Sequence, residues 1–156
     1  MKKILSIVML SLVAVIMFSG CKGREIGDIP VHYVSPARDD EIDKDYDGPT
    51  LEDYYSTDKG FNEMTKELKA TVDGTNESYK AIDFNCKGNE ITYLYHFNKL
   101  KILTEEQSNN FILGIAEGID KAKDFLSKKS GVPAKYIRIT YEYYNYKDDL
   151  IMSARF

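Results

Sequence analysis

The stretch from Thr104 to Gly131 constrains the fold most, because it carries the start and stop signals of one long amphipathic helix. Thr104 suits an N-cap, and Gln107 three residues on completes a capping box. Glu105 and Glu106 place negative charge in the first turn, where the helix dipole favours it. Phe111, Ile112, Ile115, Ala116, Ile119, Ala122 and Leu126 recur at helical spacing and form one apolar stripe. Lys128 and Lys129 suit the last turn, Gly131 suits the position after it, and Pro133 prevents continuation. A helix with one apolar face must bury that face against something else.

The segments on either side supply a sheet. Ile82, Phe84 and Cys86 alternate with Asp83 and Asn85, the period of a half-buried strand. Lys87-Gly88-Asn89 is a turn, after which Ile91, Tyr93, Tyr95 and Phe97 alternate with Thr92, Leu94 and His96. Beyond the helix, Ile137, Ile139, Tyr141 and Tyr143 alternate with Arg138, Thr140 and Glu142. Lys147-Asp148-Asp149 turns the chain into Leu150, Met152, Ala154 and Phe156. Upstream, Thr50 caps a helical stretch from Leu51 to Val72, with Asp53 at the capping-box position and Gly60 as the expected break. The expected order is α-β-β-α-β-β. It predicts a two-layer α+β domain over residues 49–156, with a four-stranded antiparallel sheet of two hairpins and two main helices on one face.

The N-terminus carries a different signal. Lys2 and Lys3 form a positive region, residues 4–18 an apolar one, and Ser19-Gly20 a small-residue site before Cys21. As a helix the apolar run spans about 22 Å, short of the roughly 30 Å hydrocarbon core of a bilayer. Residues 1–20 thus read as a cleaved signal peptide. Phe18-Ser19-Gly20-Cys21 resembles the bacterial lipobox, with phenylalanine where an aliphatic residue is usual. The resemblance implies that the Cys21 thiol receives a diacylglycerol and becomes the new N-terminal residue, and two acyl chains suffice for stable anchoring. Residues 21–48 then read as the lipidated cysteine and an acidic flexible tether, with Gly23, Gly27, Pro30 and Pro36 and a run of charge at its end.

Charge and cysteine usage narrow the function further. Loss of Lys2 and Lys3 takes the 21 basic residues to 19 against 25 acidic ones, a net charge of −6. That balance argues against nucleic acid and against a polybasic lipid-headgroup site. With Cys21 acylated, Cys86 is the one remaining thiol, so no intrachain disulfide supports the domain. Cys86 itself reads as a small buried hydrophobe on a strand rather than a reactive thiol.

Pro49-Thr50-Leu51-Glu52-Asp53-Tyr54, the helix after it, the central helix and the closing segment from Ile137-Arg138-Ile139-Thr140-Tyr141-Glu142-Tyr143 to Phe156 resemble a family of small Gram-positive lipoproteins. The resemblance covers roughly residues 49–156. It implies an extracytoplasmic, lipid-anchored domain of unknown function, and no functional residues to carry over.

Four constellations carry chemistry. Asp43-x-Asp45-x-Asp47-Gly48, with Glu52 ten positions from the start, matches a short extracellular calcium loop whose oxygens converge when glycine allows a sharp turn. The same acids also read as a plain soluble spacer, which is the favoured reading. Tyrosine is in excess, twelve residues with no tryptophan. Tyr93, Tyr95, Tyr141 and Tyr143 form either a binding face for protein, peptide or glycan, or an inner face packed on the helices. His32 lies in the tether and His96 on a strand, with no motif that marks a catalyst around either. Ser56-x-x-Lys59, Ser108-x-Asn110 and Lys129-Ser130-Gly131 follow the order of the serine penicillin-recognising motifs. The last of these is better explained as a helix C-terminus, so the match is coincidental. Gly114 and Gly118 read as a close-packing site on a soluble helix.

The expectation is an extracytoplasmic lipoprotein on the cell membrane, acting as a non-enzymatic interaction or ligand-binding module. An uncharacterised envelope enzyme and a purely structural envelope protein are the alternatives.

Overall fold

The long helix forms as its signals require, and it determines how the two hairpins meet. The computed structural model describes residues 31–35, 46–75, 78–100 and 102–156. In chain order the elements are β1 (Val31–Val34), α1 (Leu51–Tyr55), α2 (Asp58–Gly74), β2 (Tyr79–Lys87), β3 (Glu90–Phe97), α3 (Glu105–Ser130), a 3-10 turn (Ala134–Tyr136), β4 (Arg138–Tyr144) and β5 (Leu150–Arg155). Thr104 and Gln107 form the expected capping box, and Gly131 ends α3 in the left-handed conformation at φ 82°. Thr50 and Asp53 form a second box at α1.

The described residues form a mixed α+β fold with one five-stranded sheet, in the order β1-β5-β4-β3-β2. Both hairpins are present: β2 pairs antiparallel with β3, and β4 with β5. The sheet is nevertheless not the four-stranded antiparallel one that the hairpins predict. β3 and β4 are parallel, with Glu90 opposite Arg138 and Tyr95 opposite Tyr143. The reason is length. The 26 residues of α3 rise about 39 Å, whereas the eight of β3 span only about 26 Å. The helix thus carries the chain back past the whole sheet, and β4 starts at the end where β3 started.

The second difference lies in the expected tether. Val31–Val34 is a strand, parallel to β5, with Val31 opposite Met152 and Val34 opposite Arg155. The Tyr46 ring packs 4.5 Å from that of Tyr136, and its hydroxyl donates to the Pro49 carbonyl. Order thus reaches further toward the N-terminus than Pro49. Residues 1–30, including Cys21 and the expected signal peptide, lie outside the described residues, as do Asp43 and Asp45.

The upstream helix breaks at Ser56-Thr57 rather than at Gly60, with the Thr57 side chain capping α2 through the Gly60 N–H. Gly60 has another task. A Cβ there would sit 2.2 Å from the Tyr54 carbonyl oxygen, so only glycine lets α1 and α2 approach this closely.

The helices cover one face of the sheet. Ile91, Tyr93, Tyr95 and Phe97 of β3, Ile139, Tyr141 and Tyr143 of β4, and Met152 and Ala154 of β5 are buried there against Leu51, Met64, Leu68, Phe111, Ile115 and Leu126. The β2–β3 turn is tied to the start of α1. The Asn89 side-chain oxygen accepts the Leu51 N–H, the Gly88 carbonyl accepts the Glu52 N–H, and the Glu52 carboxylate accepts the Gly88 N–H. These bonds satisfy helix-start donors that would otherwise have no partner.

Candidate functional site

The four tyrosines read as a possible binding face are core. Tyr93 stacks on Tyr141 at 5.5 Å and Tyr95 on Tyr143 at 4.9 Å, all four buried beneath the helices. Their register explains the rows, since each ring lies opposite its partner on the parallel neighbour. Burial raises every one of these hydroxyl pKa values.

The acidic loop residues do not gather among the described residues either. Glu52 is committed to the Gly88 N–H at 2.7 Å, and Asp47 is exposed. No group of three histidine, cysteine or acidic side chains is placed to hold a metal among the described residues. Cys86 is half-buried and packs against the core, its thiol pushed up to about 12 mainly by burial and also by Glu52. Such a thiol is a poor nucleophile at neutral pH. Ser108 is buried in α3, which removes the middle member of the serine-enzyme pattern from any accessible site.

The groups that remain available lie on the other face of the sheet, which no described helix covers. This face is the polar phase of the same alternation: Thr92, Leu94 and His96 on β3, Arg138, Thr140, Glu142 and Tyr144 on β4, Ser153 and Arg155 on β5. At one end Glu90 collects three partners. Its carboxylate accepts from the Thr140 hydroxyl at 2.8 Å and from Arg155 at 3.2 Å, and lies 4.0 Å from Arg138. In the middle, Asp83, Leu94, Glu142, Ser153 and, on the edge strand, His32 form one row across all five strands.

At the other end the His96 ring stacks on Tyr144 at 4.8 Å, and its Nδ1 lies 2.7 Å from the Asp148 carboxylate. Lys80 pairs with the same carboxylate at 2.6 Å. Hydrogen bonds from Lys80 and His96 hold the Asp148 carboxyl below its usual range. The Tyr144 hydroxyl donates to Glu142 at 2.6 Å, and burial together with that acceptor moves it up to about 12. Asp148 sits at φ 68°, a conformation that aspartate tolerates better than most residues. Asn145 fixes the turn by accepting the Lys147 and Asp149 N–H groups.

A histidine oriented by a carboxylate is half of a general-base arrangement. Here the carboxylate is 52% exposed and shared with a lysine, and the ring is occupied on one side by tyrosine. The arrangement ties β3 to the β4–β5 turn. On the helix side, an open crevice lined by Tyr54, Tyr55, Glu63, Met64, Glu67, Phe125 and Lys129 has a cavity volume of about 0 Å³. That falls below the roughly 300–1,000 Å³ of small-molecule sites. Lys129 crosses it to Glu63 at 3.0 Å and Glu67 at 3.7 Å, joining α2 to α3.

Glu90, Arg138, Glu142, Asp148 and Arg155 belong to no motif in the sequence. The signal was there: the phase opposite the aromatic inner one is mostly polar, with Glu90 on β3 and Arg138 and Glu142 on β4, and that phase names the uncovered face. No family model, curated protein or solved structure matches the chain.

Proposed function

We propose that this chain is an extracytoplasmic bacterial lipoprotein, anchored through Cys21, whose domain binds an envelope protein, peptide or glycan on the uncovered face of its sheet. The observation that carries the binding reading is that face. Its acids and bases are interleaved and largely satisfied by one another, which suits a polar partner met by hydrogen bonding rather than a bulk charge. The absence of tryptophan and the burial of most strand tyrosines leave Tyr144, with the His96 ring stacked on it, as an aromatic pair on this surface. The anchor reading rests on the charged, apolar and small-residue order before Cys21.

Two experiments test the two halves. The Cys21→Ala protein is expected to leave the membrane fraction or to stay unprocessed, and mass spectrometry of the native N-terminus is expected to show a diacylglyceryl cysteine. An unmodified N-terminus downstream of Cys21 removes the anchor. For the face, Leu94→Arg and Ser153→Arg add bulk and charge to the middle row without touching the Glu90 or Asp148 networks. They are expected to abolish co-sedimentation with purified cell-wall polymer or membrane-protein extract while leaving the melting temperature within a few degrees. Retention equal to the parent protein removes this face as the binding surface.

A further inference from the structure

The geometry points to β1 as a detachable strap that sets how far the domain can stand from the membrane and at which pole its anchor joins it; this rests on the lipid anchor proposed for Cys21. Val31 lies opposite Met152, near the start of β5. That is the pole where β3 and β4 end, with the Asn145–Asp149 turn and the start of α3. Tyr46, the next described residue after Ser35, lies at the opposite pole against Tyr136, which precedes β4. The two attachment points are thus toward opposite ends of the sheet.

With β1 on the sheet, residues 22–30 are all that separate Cys21 from Val31. At 3.3–3.6 Å per residue the reach is at most about 35 Å, and the anchor joins the domain at the Asn145–Asp149 pole. With β1 off the sheet, residues 22–45 separate Cys21 from Tyr46, and the reach is at most about 85 Å, from the other pole. Release thus more than doubles the maximum reach and moves the attachment to the opposite pole.

The strap is built to be weak. It is four residues long, an edge strand, with His32 and Val34 exposed. Ser35 N–H donates to the Arg155 carbonyl, so by the alternation of a strand Val31, Tyr33 and Ser35 turn their backbone groups to β5. Its aromatic contact is Tyr33 on Phe156 at 5.4 Å. Tyr33→Pro removes both the donor and the ring, whereas His32→Pro places proline where the N–H points away from the sheet, as edge strands tolerate.

The test uses the full-length lipidated protein in membrane vesicles carrying a head-group energy acceptor, in a Cys86→Ser background with a donor at Lys147→Cys or Lys87→Cys. The expected result is stronger transfer from the Lys147→Cys pole in the parent and in His32→Pro, and loss or reversal of that difference in Tyr33→Pro. Equal transfer from both poles of the lipidated parent overturns the strap, with no variant needed. An unchanged pattern in a folded Tyr33→Pro protein overturns it as well. Recovery of the protein with Cys21 unmodified overturns the anchor itself, and mass spectrometry separates that failure from the other two.

Discussion

Gly60 shows how a single missing methyl group shapes the helical layer. The carbonyl of Tyr54 occupies the space where a Cβ would stand, and that oxygen belongs to the backbone of α1, which cannot move aside cheaply. Gly60→Ala is therefore expected to cost about 1–3 kcal/mol in a urea or thermal melt. Gly74→Ala, whose Cβ would meet nothing within 4 Å, is expected to cause no comparable loss. Asp148 makes a second argument at this scale, about charge rather than space. Its carboxyl pKa is depressed by hydrogen bonds from Lys80 and His96. A depressed carboxyl stabilises the folded state above its unfolded pKa near 3.9 and loses that contribution as pH falls through the lower folded value. Asp148→Asn keeps a residue that accepts φ 68° and removes the charge together with one of the two acceptor oxygens. The melting-temperature gap between the two proteins is expected to be widest from pH 5 upward and to close as pH drops below about 4. A gap that persists unchanged at pH 2 contradicts the ionic origin.

Among the elements, α3 is the one whose ends do measurable work. Gly131 holds the left-handed conformation that releases the chain toward β4, and its N–H donates to the Ser127 carbonyl. Gly131→Ala is expected to destabilise by about 1–2 kcal/mol, and Thr104→Ala by about 1 kcal/mol through loss of the cap on Gln107 N–H. Thermal melts of the two single variants and the double variant check this; the sites lie at opposite ends of the helix, so their effects should add. These ends were legible because capping is local: Thr104, Gln107 and Gly131 carry their instructions within four residues. The inner strand faces were legible for the same reason, since Tyr93 and Tyr95 alternate with Thr92 and Leu94 in one unbroken run. Pairing was not. The parallel meeting of β3 with β4 depends on how far α3 carries the chain, and the β1–β5 pair joins residues more than a hundred positions apart with no turn between them. Val31-His32-Tyr33-Val34 is also too short to stand out beside an acidic run. The candidate face was missed because tyrosine serves equally well in a core or on a surface, and only the covering helices decide which.

For the molecule as a whole, one sheet divides the labour: one side holds it together and the other meets solvent. The holding side depends on aromatic rings rather than on a disulfide, with Tyr79, Tyr93, Tyr95, Tyr141 and Tyr143 joined to Phe97 and Phe111 in continuous ring contact. That layer makes the domain its own optical gauge. With no tryptophan to mask them, the tyrosines dominate its near-ultraviolet absorption and emission. Burial raises the pKa of Tyr93, Tyr95, Tyr141 and Tyr143 in the folded state, while in the unfolded chain they ionise near 10. Their contribution to stability is thus intact below pH 10 and declines as pH rises from there toward the raised native values. An alkaline titration is expected to show a late, abrupt rise in tyrosinate absorption from the buried rings, as the second of two stages, that coincides with loss of far-ultraviolet circular dichroism. The colour of the second stage would appear only as the fold gives way, so a simple absorbance trace counts folded molecules without any added dye.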